Sequence, residues 1–159
     1  MTASTEKVPA KIEEVFQKEA NAQKEASITP TDMLYFEPEG NFYTSCDARV
    51  LSWAIVDKQT VAICLDRTIL HAQGGGQPSD RGTIVLLDSD DSQPLNVTKI
   101  VLDKSTGVAT HTATLEDSSF FPFRVGDIVH VAVDEENRRL LAECVSFLAI
   151  IFFITHRIH

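Results

Sequence analysis

The chain has 159 residues, 43% of them hydrophobic and 23% charged, with 23 acidic against 14 basic side chains and a formal charge of −9. This is enough chain for one sizeable core, and its 7 Gly and 6 Pro exclude a collagen-like or low-complexity chain. The acidic balance argues against a protein that grips nucleic acid tightly through phosphate contacts alone.

Residues 1–28 read as a polar, helical or flexible extension, in which Ile12, Val15 and Phe16 share one face at helical spacing before the apolar pattern stops. No apolar core of a secretory signal is visible, and Glu6, Glu13 and Glu14 argue against a mitochondrial presequence. Residues 29–45, TPTDMLYFEPEGNFYTS, read as an entry loop and a short extended segment. Three well-separated cysteines (Cys46, Cys64, Cys144) form no CxxC pair, which fits a reducing, cytoplasmic setting rather than a disulfide framework.

Six short β-rich runs follow: Asp47 to Trp53, Thr60 to Leu65, Thr83 to Leu87, Asn96 to Leu102, Val108 to Thr112 and Ile128 to Val133. The separators are turn-like: Asp57-Lys58, Gly74 to Asp80, Asp88 to Pro94, Asp103 to Gly107 and Val125-Gly126-Asp127. Short strands with no helices between them predict a mainly β domain over 29–133, a small antiparallel barrel or sandwich. At Asp134 the pattern changes. Asp134 reads as an N-cap, Glu135 and Glu136 suit a helix start, and a helix is predicted to about Cys144. The tail SFLAIIFFITHRIH is dense in Ile and Phe. Its apolar run, eleven residues from Cys144 to Ile154, is too short for a membrane helix, which takes roughly 20.

One stretch carries chemical information: Leu65 to Gly82, LDRTILHAQGGGQPSDRG. Consecutive Gly74, Gly75 and Gly76 permit positive φ and close approach of another group to the backbone. Gln77 adds an amide donor and acceptor, and Pro78 fixes the exit. On shape alone this is a polar hairpin loop, a wide turn with a bulge. It is neither a P-loop nor a dinucleotide loop, since no GK[ST] and no helical pattern follows. Asp66 and Asp80 read as holders of turn geometry, His71 as a partly buried strand-end histidine, and His111 and His130 as ordinary strand residues.

This GGGQP-x-D-x-G string resembles the signature of the alanyl-tRNA editing family, the free-standing relatives of the alanyl-tRNA synthetase editing domain. The segments from Thr31 to Trp53, VTKIVLDKSTGVATHTA and FRVGDIVHVAVDEENRR, are similar to its other strands and to its lead-in helix. The resemblance implies a translation-protein-like β-barrel before an α/β editing domain. It implies hydrolysis, in trans, of the ester joining serine or glycine to alanine tRNA. It places Thr68 and Gln77 as the catalytic-pocket residues and Gly74, Gly75, Gly76 and Gln77 as the substrate-binding loop. A site that pairs a hydroxyl can discriminate strongly against a substrate lacking it.

The family also implies a zinc held by a helical HxxxH and later ligands. This chain departs there: after Arg139 it reads LLAECVSFLAIIFFITHRIH, and its final His156 and His159 are three apart. The expectation is therefore a truncated form, catalytically incompetent and carrying no metal ligand, with residues 134–159 as the start of the editing-domain helix and an atypical hydrophobic tail. The competing reading is a noncatalytic barrel that binds tRNA or protein. From Arg81 to Glu136 there are four basic and ten acidic residues, which predicts weak autonomous tRNA binding and no membrane association.

Overall fold

The structure, a computed structural model, describes residues 29–57, 59–87, 93–115 and 123–143. The expected N-terminal extension and the hydrophobic tail with its two histidines lie outside the described residues.

Among the described residues eight strands run in chain order: β1 (Asp32–Met33), β2 (Ser45–Asp57), β3 (Thr60–Leu65), β4 (Arg67–Thr68), β5 (Gly82–Leu86), β6 (Leu95–Asp103), β7 (Val108–Thr114) and β8 (Ile128–Val133). Two short 3-10 turns, Leu34–Phe36 and Gly40–Phe42, lie between β1 and β2. Residues 135–143 form helix α1. No helix among the described residues is long and apolar enough to cross a membrane.

Six strands close into an antiparallel barrel in the order β2-β3-β7-β6-β5-β8. A barrel is the outcome of the two folds the strand pattern allowed. It removes the open edges that a sandwich of such short strands would keep. The long β2 makes this possible by serving two neighbours. Its first part pairs with β8 (Ser45↔Ala132 to Arg49↔Ile128), and its second part, from Val50 on and with a register shift between Val50 and Ser52, pairs with β3.

Alternation puts one face of each strand inside. Val61, Ile63 and Leu65 on β3, Ala109 and Ala113 on β7, and Val129 and Val131 on β8 all meet in the core. Gly82 sits where β5 and β8 approach most closely: a Cβ there would collide with the Ala132 carbonyl and touch Leu70.

The barrel leaves one gap that positions the site. β5 and β6 pair over only three residues, Gly82↔Val97 to Ile84↔Leu95. Further along, the edge of β6 is taken by the loop before β5. The Gln73 N–H donates to the Ile100 carbonyl (2.9 Å), and the Ile100 N–H donates to Ser79 Oγ (3.0 Å). The glycine-rich segment is thus sewn into the wall of the barrel at both of its flanks.

Candidate functional site

Residues 71–80 form a β-hairpin-like loop. At its root the Asp80 N–H donates to the His71 carbonyl (3.0 Å), and the His71 N–H donates to Asp80 Oδ2 (2.9 Å). Near its tip Gly74 and Gln77 exchange backbone hydrogen bonds at 2.9 and 3.3 Å. Gly75 (φ 60°) and Gly76 (φ 84°) are both left-handed, as a tight two-residue turn requires. Sequence alone suggested a wider turn with a bulge. Two adjacent left-handed glycines let the chain reverse in the shortest way instead.

Gly74 is different. Its φ is not left-handed, and a Cβ built on it would meet no atom within 4 Å. Neither backbone conformation nor packing among the described residues requires glycine there. Gly75 and Gly76 likewise have empty space around them. Gln77 is exposed at the exit of the turn, and among the described residues nothing takes its side-chain amide.

Thr68 lies in another setting. It is fully buried, and its Oγ1 accepts the Leu70 N–H at 3.1 Å. The same oxygen lies 2.9 Å from His111 Nε2. His111 Nδ1 lies 3.2 Å from the Ile63 carbonyl, which can only accept. Nδ1 therefore carries the proton. Burial drives the His111 pKa down to about 4, so the ring is neutral and Nε2 is an acceptor. The network assigns the Thr68 hydroxyl as donor to Nε2. Thr68 and Gln77 thus share one segment but occupy the barrel interior and the solvent, and no hydrogen bond joins them.

The flanking acids hold backbone, as their positions suggested. Asp66 Oδ1 accepts the Arg49 N–H at 2.7 Å, and Asp80 closes the root of the hairpin. His71 stacks on Tyr35 with ring centroids 4.1 Å apart, and its Nε2 lies 3.1 Å from Asn41 Oδ1. Desolvation lowers its pKa, against the nearby Asp80 carboxylate. His130 is a half-buried strand residue whose Nδ1 lies 2.7 Å from Asp47 Oδ1. Burial pushes the Cys46 thiol up to about 11, the opposite of an activated nucleophile.

Sequence reasoning missed two residues. His111 looked like any inward strand residue, yet it fixes the Thr68 hydroxyl. Arg138 drew no reading from the sequence, yet its side chain pairs with Asp80 at 2.6 Å, with 19% and 4% of the two side chains exposed. A buried Asp80 would have demanded a cation, but no local spacing links positions 80 and 138.

The model of a family described as tRNA synthetases class II (A) matches residues 1–137. The chain belongs to this family. Its matched members are alanine–tRNA ligases. That of Methanosarcina barkeri is 34% identical over 124 residues, 76% of this chain and 13% of that protein. That of Haloquadratum walsbyi is 30% identical over 119 residues, 74% of this chain and 11% of the ligase. Over a shorter stretch of 81 residues, half of this chain and 8% of the ligase, that of Methanosarcina acetivorans is 40% identical. This class II (A) chain therefore spans 13% or less of the length of these relatives.

The resemblance implied zinc. Among the described residues no three His, Cys, Asp or Glu side chains come together as a metal site needs. Both His111 nitrogens are committed, to Thr68 and Ile63, and His71 Nε2 is committed to Asn41. These described donors do not fit zinc.

Proposed function

We propose that this barrel is the recognition half of an alanyl-tRNA editing unit, the part that meets the aminoacyl end of a mischarged alanine tRNA carrying serine or glycine. The observation that carries this reading is Gly74. Its side chain is absent where nothing among the described residues needs it to be absent, which is what close approach of a ligand to backbone requires. Gly75 and Gly76 extend the bare surface, and the free amide of Gln77 stands at its edge to pair with polar groups of the aminoacyl ester. Membership in a family whose matched relatives are alanine–tRNA ligases supports the choice of tRNA end.

Thr68 supports the loop from within. Its hydroxyl holds the Leu70 N–H and His111, and so fixes the strand from which the hairpin springs. Among the described residues of the hairpin, His71 and Asp80 sit at the root and are engaged by Tyr35, Asn41 and Arg138. The proposal therefore gives the described residues recognition of the ester rather than its cleavage. The charge of −9 makes binding depend on the aminoacyl end more than on tRNA phosphates.

The test is a titration of the isotopically labelled chain with an amide-linked 3′-seryl-adenosine, followed by NMR. Shifts confined to residues 73–78, weaker with the alanyl analogue and absent in Gln77→Ala, are expected. A folded chain whose hairpin ignores the seryl analogue refutes the reading. A parallel assay of deacylation of seryl-tRNA(Ala), with zinc supplied, is expected to show only the spontaneous rate. Turnover above it would overturn the assignment of recognition without cleavage.

A further inference from the structure

Arg138 lies in the first turn of α1, yet its side chain ends at the root of the hairpin. Its Nε and one terminal nitrogen donate to Asp80 Oδ2 at 3.1 and 2.6 Å. That terminal nitrogen also donates to the Ile69 carbonyl at 2.8 Å, and the other donates to the Tyr43 carbonyl at 3.0 Å. Three separate segments therefore meet on one guanidinium: the hairpin root, the residue after Thr68, and the end of the aromatic turns. His71 ties the first and third together again through its stack on Tyr35.

The guanidinium is a rigid planar fork, so the angles between its partners are set by the group itself. Its own place is set by the start of α1. The Asp134 carboxylate caps the helix by accepting the Asn137 N–H at 3.0 Å, and the Asp134 N–H donates to the Arg81 carbonyl at 2.9 Å. Arg81 directly follows Asp80. The helix is thus bonded to the hairpin's exit through backbone and to its root through Arg138. Beyond the root, the hairpin is held to β6 at Gln73 and Ser79, and a Cβ added at Gly74, Gly75 or Gly76 at its tip would meet no atom of the described residues within 4 Å.

We propose that Arg138 is a positioning residue for the aminoacyl-end site. It touches no ligand. It sets the angle at which the 71–80 hairpin leaves the barrel relative to α1, and with it the place where Gly74 and Gln77 are presented. This rests on the reading of the hairpin as the ligand contact. It makes α1 and the hairpin one unit: whatever moves the helix moves the site.

The test compares the full chain with Arg138→Lys, Arg138→Gln and a helix control, Glu143→Gln, which removes only the exposed Arg139–Glu143 pair. Amide exchange is read at His71, Gln73, Gln77 and Asp80 for the hairpin, and at Val61, Ile63 and Ala113 for the barrel. Affinity for the amide-linked seryl-adenosine is read alongside. Lys keeps the charge and loses the fork. In Arg138→Lys, exchange at the hairpin amides should quicken on the order of tenfold with barrel amides unchanged, since opening is local. Affinity should fall by a similar factor, and Glu143→Gln should match the parent.

If Arg138→Gln fails to fold, Arg138→Lys alone decides the matter. Unchanged hairpin exchange and affinity in Arg138→Lys overturn the proposal, as does equal loss of protection in hairpin and barrel, which would mark a general stability role. A parent chain that ignores the analogue refutes the ligand reading alone, and the exchange data then still decide whether Arg138 governs the hairpin.

Discussion

Acid should weaken this barrel through one residue. His111 is buried in the core with Nδ1–H on the Ile63 carbonyl and Nε2 accepting from Thr68. Its pKa is about 4 in the fold against 6.5 for a free histidine, because desolvation disfavours the imidazolium. The neutral form is the one the native state holds. The resulting stability is present in full above pH 6.5, declines as pH falls from 6.5 toward 4, and is gone below that. At 1.36 kcal/mol per unit, the depression corresponds to about 3 kcal/mol. Protonation would also remove the acceptor of the Thr68 O–H, so the loss should begin at the strand that bears the hairpin.

The assay is urea denaturation at half-unit pH steps from 7.5 to 4, on the parent chain and on His111→Gln. Gln shortens the pair of contacts but cannot charge. His71 shifts in the same direction, is partly exposed and is present in both chains, so it cancels in the comparison. Asp57 and Asp103, held below the usual carboxylate range by local hydrogen bonds, act only at the acid end and are also common to both. The parent should lose about 3 kcal/mol more than His111→Gln between neutral pH and pH 4. Parallel curves would show that His111 is not the group whose titration costs stability, and the assignment of its neutral tautomer would fall with it.

Three further outcomes are expected. Asp80→Asn leaves the Arg138 cation in a largely covered site without its counter-charge, and urea unfolding should show a loss of about 3 kcal/mol or more. Gly75→Ala forces a Cβ onto a left-handed residue and should cost about 1 kcal/mol, whereas Gly74→Ala should leave the melting temperature unchanged while weakening the seryl-adenosine titration. Gly82→Ala would drive a methyl into the Ala132 carbonyl between β5 and β8, and circular dichroism should report loss of the folded barrel rather than a small shift.

The strands were readable because the barrel is built from runs of period two separated by turn residues. Thr60 to Leu65 and Ile128 to Val133 were placed to the residue. Asp134 was readable as a cap because that role depends on its immediate neighbours. What was not readable depends on distant partners. The pairs β1 and β4 are two residues long and have no periodicity to detect. The Thr68–His111 contact spans 43 positions and the Asp80–Arg138 contact 58. In each case a polar group on the inside of the barrel is satisfied by another strand or by α1, and only closure of the barrel brings the two together. Gly74 stood out in the sequence as part of a triplet. Only the geometry separates it from Gly75 and Gly76, whose positive φ explains them.

Closure also dictates an order of assembly. Among the described residues β8 is the last strand, and it pairs with both β2 and β5, so it is the stave that shuts the barrel. Asp47 on β2 meets His130 across 83 residues, a long loop to close. During synthesis, β2, β3, β6 and β7 can pair as they emerge from the ribosome. The ring stays open at β2 and β5 until residue 133 is free. Until then two strand edges are bare and adhesive, and a nascent chain held at that point is a target for chaperones or for pairing with its neighbours on a polysome. Arg138 emerges five residues after the last strand ends, so the hairpin is locked to α1 only once the ring has shut.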